Sequence, residues 1–353
     1  MKTKLILSIL FSILVSIVGG VGIEMVTGFN AEIVTGVLFA SSFIPMPSGM
    51  TMAGVYREVW TEQVKNELST QEQGSFLDGI EDFSRYVNPV GDEAEAIHST
   101  FMGVRPDVLI NNTTYPIPIQ ELDGEDMVIT LDKYQTKVTP VTDDELYALA
   151  YDKIAAVKGQ HAKAIAAAKI KKALHAIAPA DGAGDMPVLV TTGPDDGTGR
   201  LRLVWEDLVR LKAALDEKEV PELGRRLVLS TDHVNDLLLL DQKFKDQFFN
   251  ATTGKPYNQL SFDFYSYIGA PYYNPATGTK LSYGAVPAAT DRRASTFFSL
   301  ERVAKASGMI KMYFQEAKTD PQNQRNLVNF RHNYIVMPTR EEARGAIVSA
   351  NAV

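Results

Sequence analysis

The chain has 353 residues, of which 45% are hydrophobic and 22% charged, with a formal net charge of −8 and no cysteine. That length and apolar share suit one large or two ordinary globular domains and exclude wholesale disorder. The missing cysteines exclude disulfide scaffolds, thiolate zinc sites, iron–sulfur clusters and thiol nucleophiles, and the acidic balance disfavours a general nucleic-acid binder, which needs a basic surface.

Residues 1–50 differ from the rest. Lys2 and Lys4 precede an apolar run from Leu5 to Val18, the pattern of a secretory signal or membrane anchor. The run is too short to span a bilayer without help, and no clear small-x-small cleavage site follows it. The alternative is a hydrophobic arm buried in an assembly. Ser8, Ser12 and Ser16 lie on one helical stripe, which permits close helix packing in either setting.

Residues 51–106 read as an extended, irregular arm, with one helix over 55–68 and frequent glycine and proline breaks afterwards. Residues 107–140 read as a long β-hairpin. Val108 and Ile110 alternate with their neighbours, then Tyr115, Ile117 and Ile119 do so with the phase shifted. Asp123–Gly124 suits the turn, and Val128 to Val138 returns. The tip, Glu121 to Asp126, is acidic. Pro116 and Pro118 confine the outgoing strand to an edge. Such a hairpin has too little core to stand alone, so it is expected to lie on another subunit.

Thr142-Asp143-Asp144-Glu145 is a capping box, followed by apolar residues at helical spacing from Leu146 to Ala168, with Pro179 as the stop. The predicted helix, 142–178, is roughly 54 Å long. Its lysines, at 153, 158, 163, 169, 171 and 172, read as a solvated face that also suits the helix dipole. Residues 180–200 read as a loop, Trp205–Leu215 as an amphipathic helix, Arg226–Ser230 as a buried strand, and Thr231 or Asp232 as the cap of a helix through Leu240. Gly254–Pro256 marks a loop. Ser261–Ile268 is an aromatic-rich strand. Phe297–Val303, Ile310–Ala317 and Leu327–Met337 are further strands. The body is α+β with one dominant helix.

Chemical motifs are scarce. There is no Walker loop and no nucleophile elbow, and the glycine pairs at 20/22 and 182/184 lack a strand–turn–helix context. His98, His161, His175, His233 and His332 make no H-x-x-x-H zinc pair. Asp232–His233 and the acids Asp143, Asp144 and Glu145 are better explained as helix starts and caps. Asn111, Asn112 and Asn250 sit in N-x-S/T patterns, which matter only in a glycosylating pathway. The sequence nominates no catalytic, cofactor-binding or metal-ligating residue, and no cofactor.

The order of arm, hairpin, long capped helix and mixed body resembles the major capsid protein of tailed bacteriophages with the Hong Kong 97-like fold, most nearly those of Bacteroides-type phages and prophages. The residues that carry the likeness are DVLINNTTYP from Asp107 to Pro116, KVTPVTDDELY from Lys137 to Tyr147, TDPQNQR from Thr319 to Arg325, and NYIVMP from Asn333 to Pro338. The resemblance implies an N-terminal arm over 1–106, an extended loop over 107–141, and a spine helix with peripheral-domain residues over 142–200. It implies a mainly axial domain over 201–318 and a return to the peripheral domain over 319–353. It also implies pentamers and hexamers of the chain closing into an icosahedral shell around double-stranded DNA, assembled in the host bacterial cytoplasm. The implied partners are further copies, portal, scaffold or decoration proteins, and DNA held without sequence preference; a membrane partner is not expected. Some relatives crosslink through a lysine of the extended loop, but none lies between Asp107 and Asp132 here. The competing readings are a secreted or membrane-anchored surface protein, supported by the N-terminus alone, and a hydrolase using Asp232 and His233.

Overall fold

The computed structural model describes residues 62–72, 75–90, 94–102, 112–117, 124–142, 153–182, 186–240, 257–316, 322–340 and 344–352, with 244 and 319 and without 63, 69 and 114. The apolar N-terminal segment, residues 121–123 of the acidic tip, the capping-box acids and the Gly254–Pro256 loop lie outside these residues.

Helix α1 covers 62–72, with Val64 and Leu68 buried. There follow β1 (Glu81–Asp82), β2 (Val87–Val90), β3 (Ala94–Met102), β4 (Gly124–Thr130), β5 (Asp132–Gln135), β6 (Thr139–Thr142) and helix α2 (Lys153–Ile177). Next come β7 (Val188–Val190), α3 (Trp205–Glu217), β8 (Arg225–Ser230), α4 (Thr231–Leu240), β9 (Tyr257–Gln259), β10 (Phe262–Tyr267), β11 (Tyr272–Asn274) and β12 (Thr279–Lys280). The chain ends with β13 (Arg292–Ser299), β14 (Val303–Gln315), β15 (Arg325–Pro338) and β16 (Arg344–Val348).

Three sheets result. The largest runs β12-β11-β13-β8-β10-β9, with β16 joining β13 to β7. Its central strand β8 is buried at every position, with Leu227, Val228 and Leu229 at its middle as expected of a strand covered on both faces and with Arg225 and Arg226 donating to backbone carbonyls. On one face, Leu208, Leu211 and Leu215 of α3 and Leu237 of α4 pack with Leu227, Leu229, Phe262 and Phe297. The spacing of those α3 leucines places them on one helical stripe. The second sheet runs β1-β14-β15-β5, with β6 also on β15. Helix α2 closes the space between these sheets: Ala173, Leu174 and Ile177 pack with Phe76, Leu77 and Ile80, with Val228 and Phe298 of the large sheet, and with Tyr334 and Val336 of β15. The third sheet is β2-β3-β4.

Three expectations change. The strand paired with β4 is β3, in register from Ala96↔Thr130 to Met102↔Gly124; residues 115–117 form a bend and coil, with a cis Tyr115–Pro116 bond. The hairpin therefore begins within the stretch read as an irregular arm. Alternation in AEAIHSTFM is weak, so the period-two signal that marks a half-buried strand is missing from it. The return expected over 128–138 is divided: β5 and β6 leave β4 and pair with β15. Finally, β7 and β16 lie where the sequence predicts no strand, being runs of three and five residues, and β13 opens with two arginines before its apolar residues.

Candidate shell-forming surfaces

The lysines of α2 have two fates. Lys163 and Lys171 are exposed. Lys158 and Lys169 are buried, at 6% and 3% exposure, which corrects the expectation of one solvated face. Lys169 Nζ donates to Glu72 Oε1 at 2.7 Å and stands 4.0 Å from the Tyr334 ring centroid. Lys305 Nζ donates to the other Glu72 oxygen at 3.3 Å. One carboxylate thus ties the end of α1 to α2 and β14. Burial pushes the Lys169 ammonium below its ordinary range, and Glu72 opposes that shift. Closer to β5, Lys172 pairs with Asp132 at 2.6 Å.

Asp232 and His233 do not form a reactive pair. His233 is fully buried; Nδ1 pairs with Ser295 Oγ at 2.6 Å and Nε2 with Ser349 Oγ at 2.8 Å. Burial lowers it to about 4. Both ring nitrogens are committed to serine hydroxyls that fasten α4 to β13 and to the segment after β16. Beside it, Arg200 donates both Nη groups to Asp236 at 2.7 Å and Nε to Asp196 at 2.8 Å. This bidentate pair holds the 195–201 turn against α4. Its residues were not singled out in the sequence; the signal was only the DDGTGR turn preceding a helix.

Three further histidines are also packed. His175 Nε2 meets the Leu281 carbonyl at 2.8 Å, His332 Nε2 meets Ser307 Oγ at 2.9 Å, and His161 lies 5.7 Å from the Phe330 ring. Among the described residues no group of three potential ligands is placed to hold a metal ion, and no helix is long and apolar enough to cross a membrane.

What the molecule presents outward is more telling. Beyond Ile97, β3 and β4 pair only with each other among the described residues, because β2 reaches only Ala94 to Ile97. An isolated two-stranded ribbon is marginal in water. Every residue from Ser282 to Thr290, SYGAVPAAT, is exposed and uncharged, with Val286 at 91%. The loop is nevertheless pinned: Ala285 N–H donates to the Ser282 carbonyl at 3.0 Å, Ala288 N–H to Asp291 Oδ2 at 2.7 Å, and Asn351 Nδ2 to the Thr290 carbonyl at 3.1 Å. A held, uncharged surface loop suits contact with another protein.

The described body is a mixed helix-and-sheet fold with a two-stranded ribbon and a held, uncharged surface loop. The chain belongs to the phage capsid protein family, whose model matches residues 124–349. It is a protein of the capsid shell, and its place is the virion. Among solved structures it is similar to the capsid of the empty GTA particle, at 11% identity over 78% of this chain and 90% of that one, with a TM-score of 0.50. It is similar also to the mature capsid of bacteriophage PhiM1, at 12% identity over 77% and 86%, again with a TM-score of 0.50. These likenesses establish a capsid-subunit fold. No curated protein matches the chain.

Proposed function

We propose that the chain is a major capsid protein of a tailed phage, assembling as pentamers and hexamers into an icosahedral shell around double-stranded DNA. The observation that carries this reading is the β3–β4 ribbon, whose distal half has no third strand among the described residues and which a neighbouring subunit would cover. In this reading the ribbon takes the role of the extended loop assigned to 107–141, and α2 that of the spine helix. The mainly axial domain is proposed over 201–318 and the return to the peripheral domain over 319–353, and the pairing of β14 with β15 supports counting β14 with that return. The large sheet and the Ser282–Thr290 loop form the axial domain, and residues 1–50 an apolar arm between subunits. Net negative charge lets the lining confine DNA without gripping it. Portal, scaffold and decoration proteins are the further partners, and assembly takes place in the host cytoplasm. A source in Bacteroides-type bacteria belongs to the same proposal and rests on the sequence resemblance.

The test is negative-stain electron microscopy of the chain expressed alone, and again with its neighbouring genes, in a bacterial cytoplasm. Closed shells, tubes or capsomer rings are expected. A monomer in both preparations, or export with loss of the first residues, would sink the reading, the latter in favour of a surface protein.

A further inference from the structure

Strand β14 breaks register against β15 between Ser307, which faces Tyr334, and Ile310, which faces His332. Such a bulge leaves ladder groups to be satisfied from elsewhere. Ser307 N–H donates to Ser84 Oγ at 2.8 Å. Met309 N–H donates to both Glu95 carboxylate oxygens, at 3.1 and 3.0 Å. Between them stands Gly308, where a Cβ would occupy the space of the Glu95 carboxylate. Ser84 is itself held, its N–H donating to Asp82 Oδ1 at 2.8 Å and its hydroxyl to the same oxygen.

Glu95 lies at the start of β3, and its carbonyl accepts the Leu131 N–H at 2.9 Å, just past the end of β4. One residue therefore touches both legs of the hairpin and the bulge of the body sheet. The base is also paired with β2 over Ala94–Ile97 within its own small sheet, and the side-chain contact that accompanies Glu95 on the body sheet is apolar: Ile97 and Leu131 pack with Ala304, Ala306 and Met337. Hydrophobic contact is non-directional and tolerates rotation. A carboxylate seated in a glycine notch does not, because hydrogen bonds weaken steeply with angle.

We propose that Glu95 is the positioning residue of the β3–β4 hairpin: its carboxylate, seated at Gly308 on the Met309 N–H, sets the direction in which the hairpin leaves the body, and its withdrawal frees the hairpin to swing on the Ile97 contact. The proposal rests on the bulge geometry and stands whether or not the chain forms shells.

The test is hydrogen–deuterium exchange on the full chain with Glu95→Ala, Glu95→Gln and Gly308→Ala. In Glu95→Ala, exchange across β3 and β4 should rise roughly tenfold, as expected for losing a hydrogen bond to a charged group, while β8 and β13 stay within about twofold of the parent. Gly308→Ala displaces the carboxylate without altering it and should do the same. Glu95→Gln keeps an acceptor oxygen and should stay near the parent. Unchanged exchange in β3 and β4, or a rise shared equally by β8 and β13, overturns the proposal. If Glu95→Ala does not fold, the contrast between Gly308→Ala and Glu95→Gln decides in the same terms.

Discussion

Glu72 serves two lysines at once, and that asymmetry decides what its loss would do. Removing one partner of a buried pair leaves an uncompensated charge, whereas replacing a buried ion with an apolar group of similar size is often mild. Glu72→Ala strands Lys169 under Tyr334 and should cost about 3 kcal/mol. Lys169→Met leaves Glu72 with Lys305 and should cost less than about half of that. Urea unfolding of the two variants checks the order; equal losses would show that the burial argument is wrong. The buried histidines make a second prediction. Burial lowers His233 to about 4 and His332 to about 3, from an ordinary value of 6.5. The unfolded chain then binds more protons in that window, so stability falls as pH drops from 6.5 toward 4. The unfolding midpoint should decline over this range, and the slope should flatten when both are changed to asparagine. An unaltered slope would assign the decline to other groups.

Elements show where pattern suffices. Helix α3 was legible because its apolar residues recur on one stripe, and the stripe is the face that packs on β8. Leu211→Ala should cost about 3 kcal/mol through lost burial and a cavity, while Val209→Ala, at a position 44% exposed, should stay within about 0.5 kcal/mol. Thermal or chemical unfolding distinguishes them. Strands β8, β10 and β15 were legible because each is rich in β-branched, aromatic or other apolar residues. Helix α2 was legible as an element, yet the fates of its lysines were not. Lys169 and Lys171 fall on nearly opposite sides of the helix; Lys169 is in line with the buried Ile165 and Ala173, and Glu72 and Tyr334 are the partners that accept a cation there. The Arg200–Asp236 pair joins residues 36 apart in sequence, a distance at which no local motif announces a partner.

At the scale of the whole molecule, the ribbon's acidic end supplies a prediction about assembly. If Asp123, Glu125 and Asp126 meet basic side chains of a neighbour, changing all three to serine should weaken assembly more at low salt than at high salt, because salt screens exposed charges beyond about 10 Å at 0.1 M. Light scattering or sedimentation across a salt series would read this, and equal assembly of variant and parent would remove the tip from the interface. By itself the sequence determined the α+β class, the dominant helix, helices α3 and α4, strands β8 and β10 of the large sheet, and, through its resemblance, the capsid family. Those depend on local periodicity, capping and composition, which act over a few residues. Only the tertiary structure decided which strands form the hairpin, that β5 and β6 pair with β15, that β14 carries a bulge seated on Glu95, and which charges are buried. Strand partners and buried ion pairs are set by which distant surfaces exclude water together, and a chain read in order does not contain that geometry.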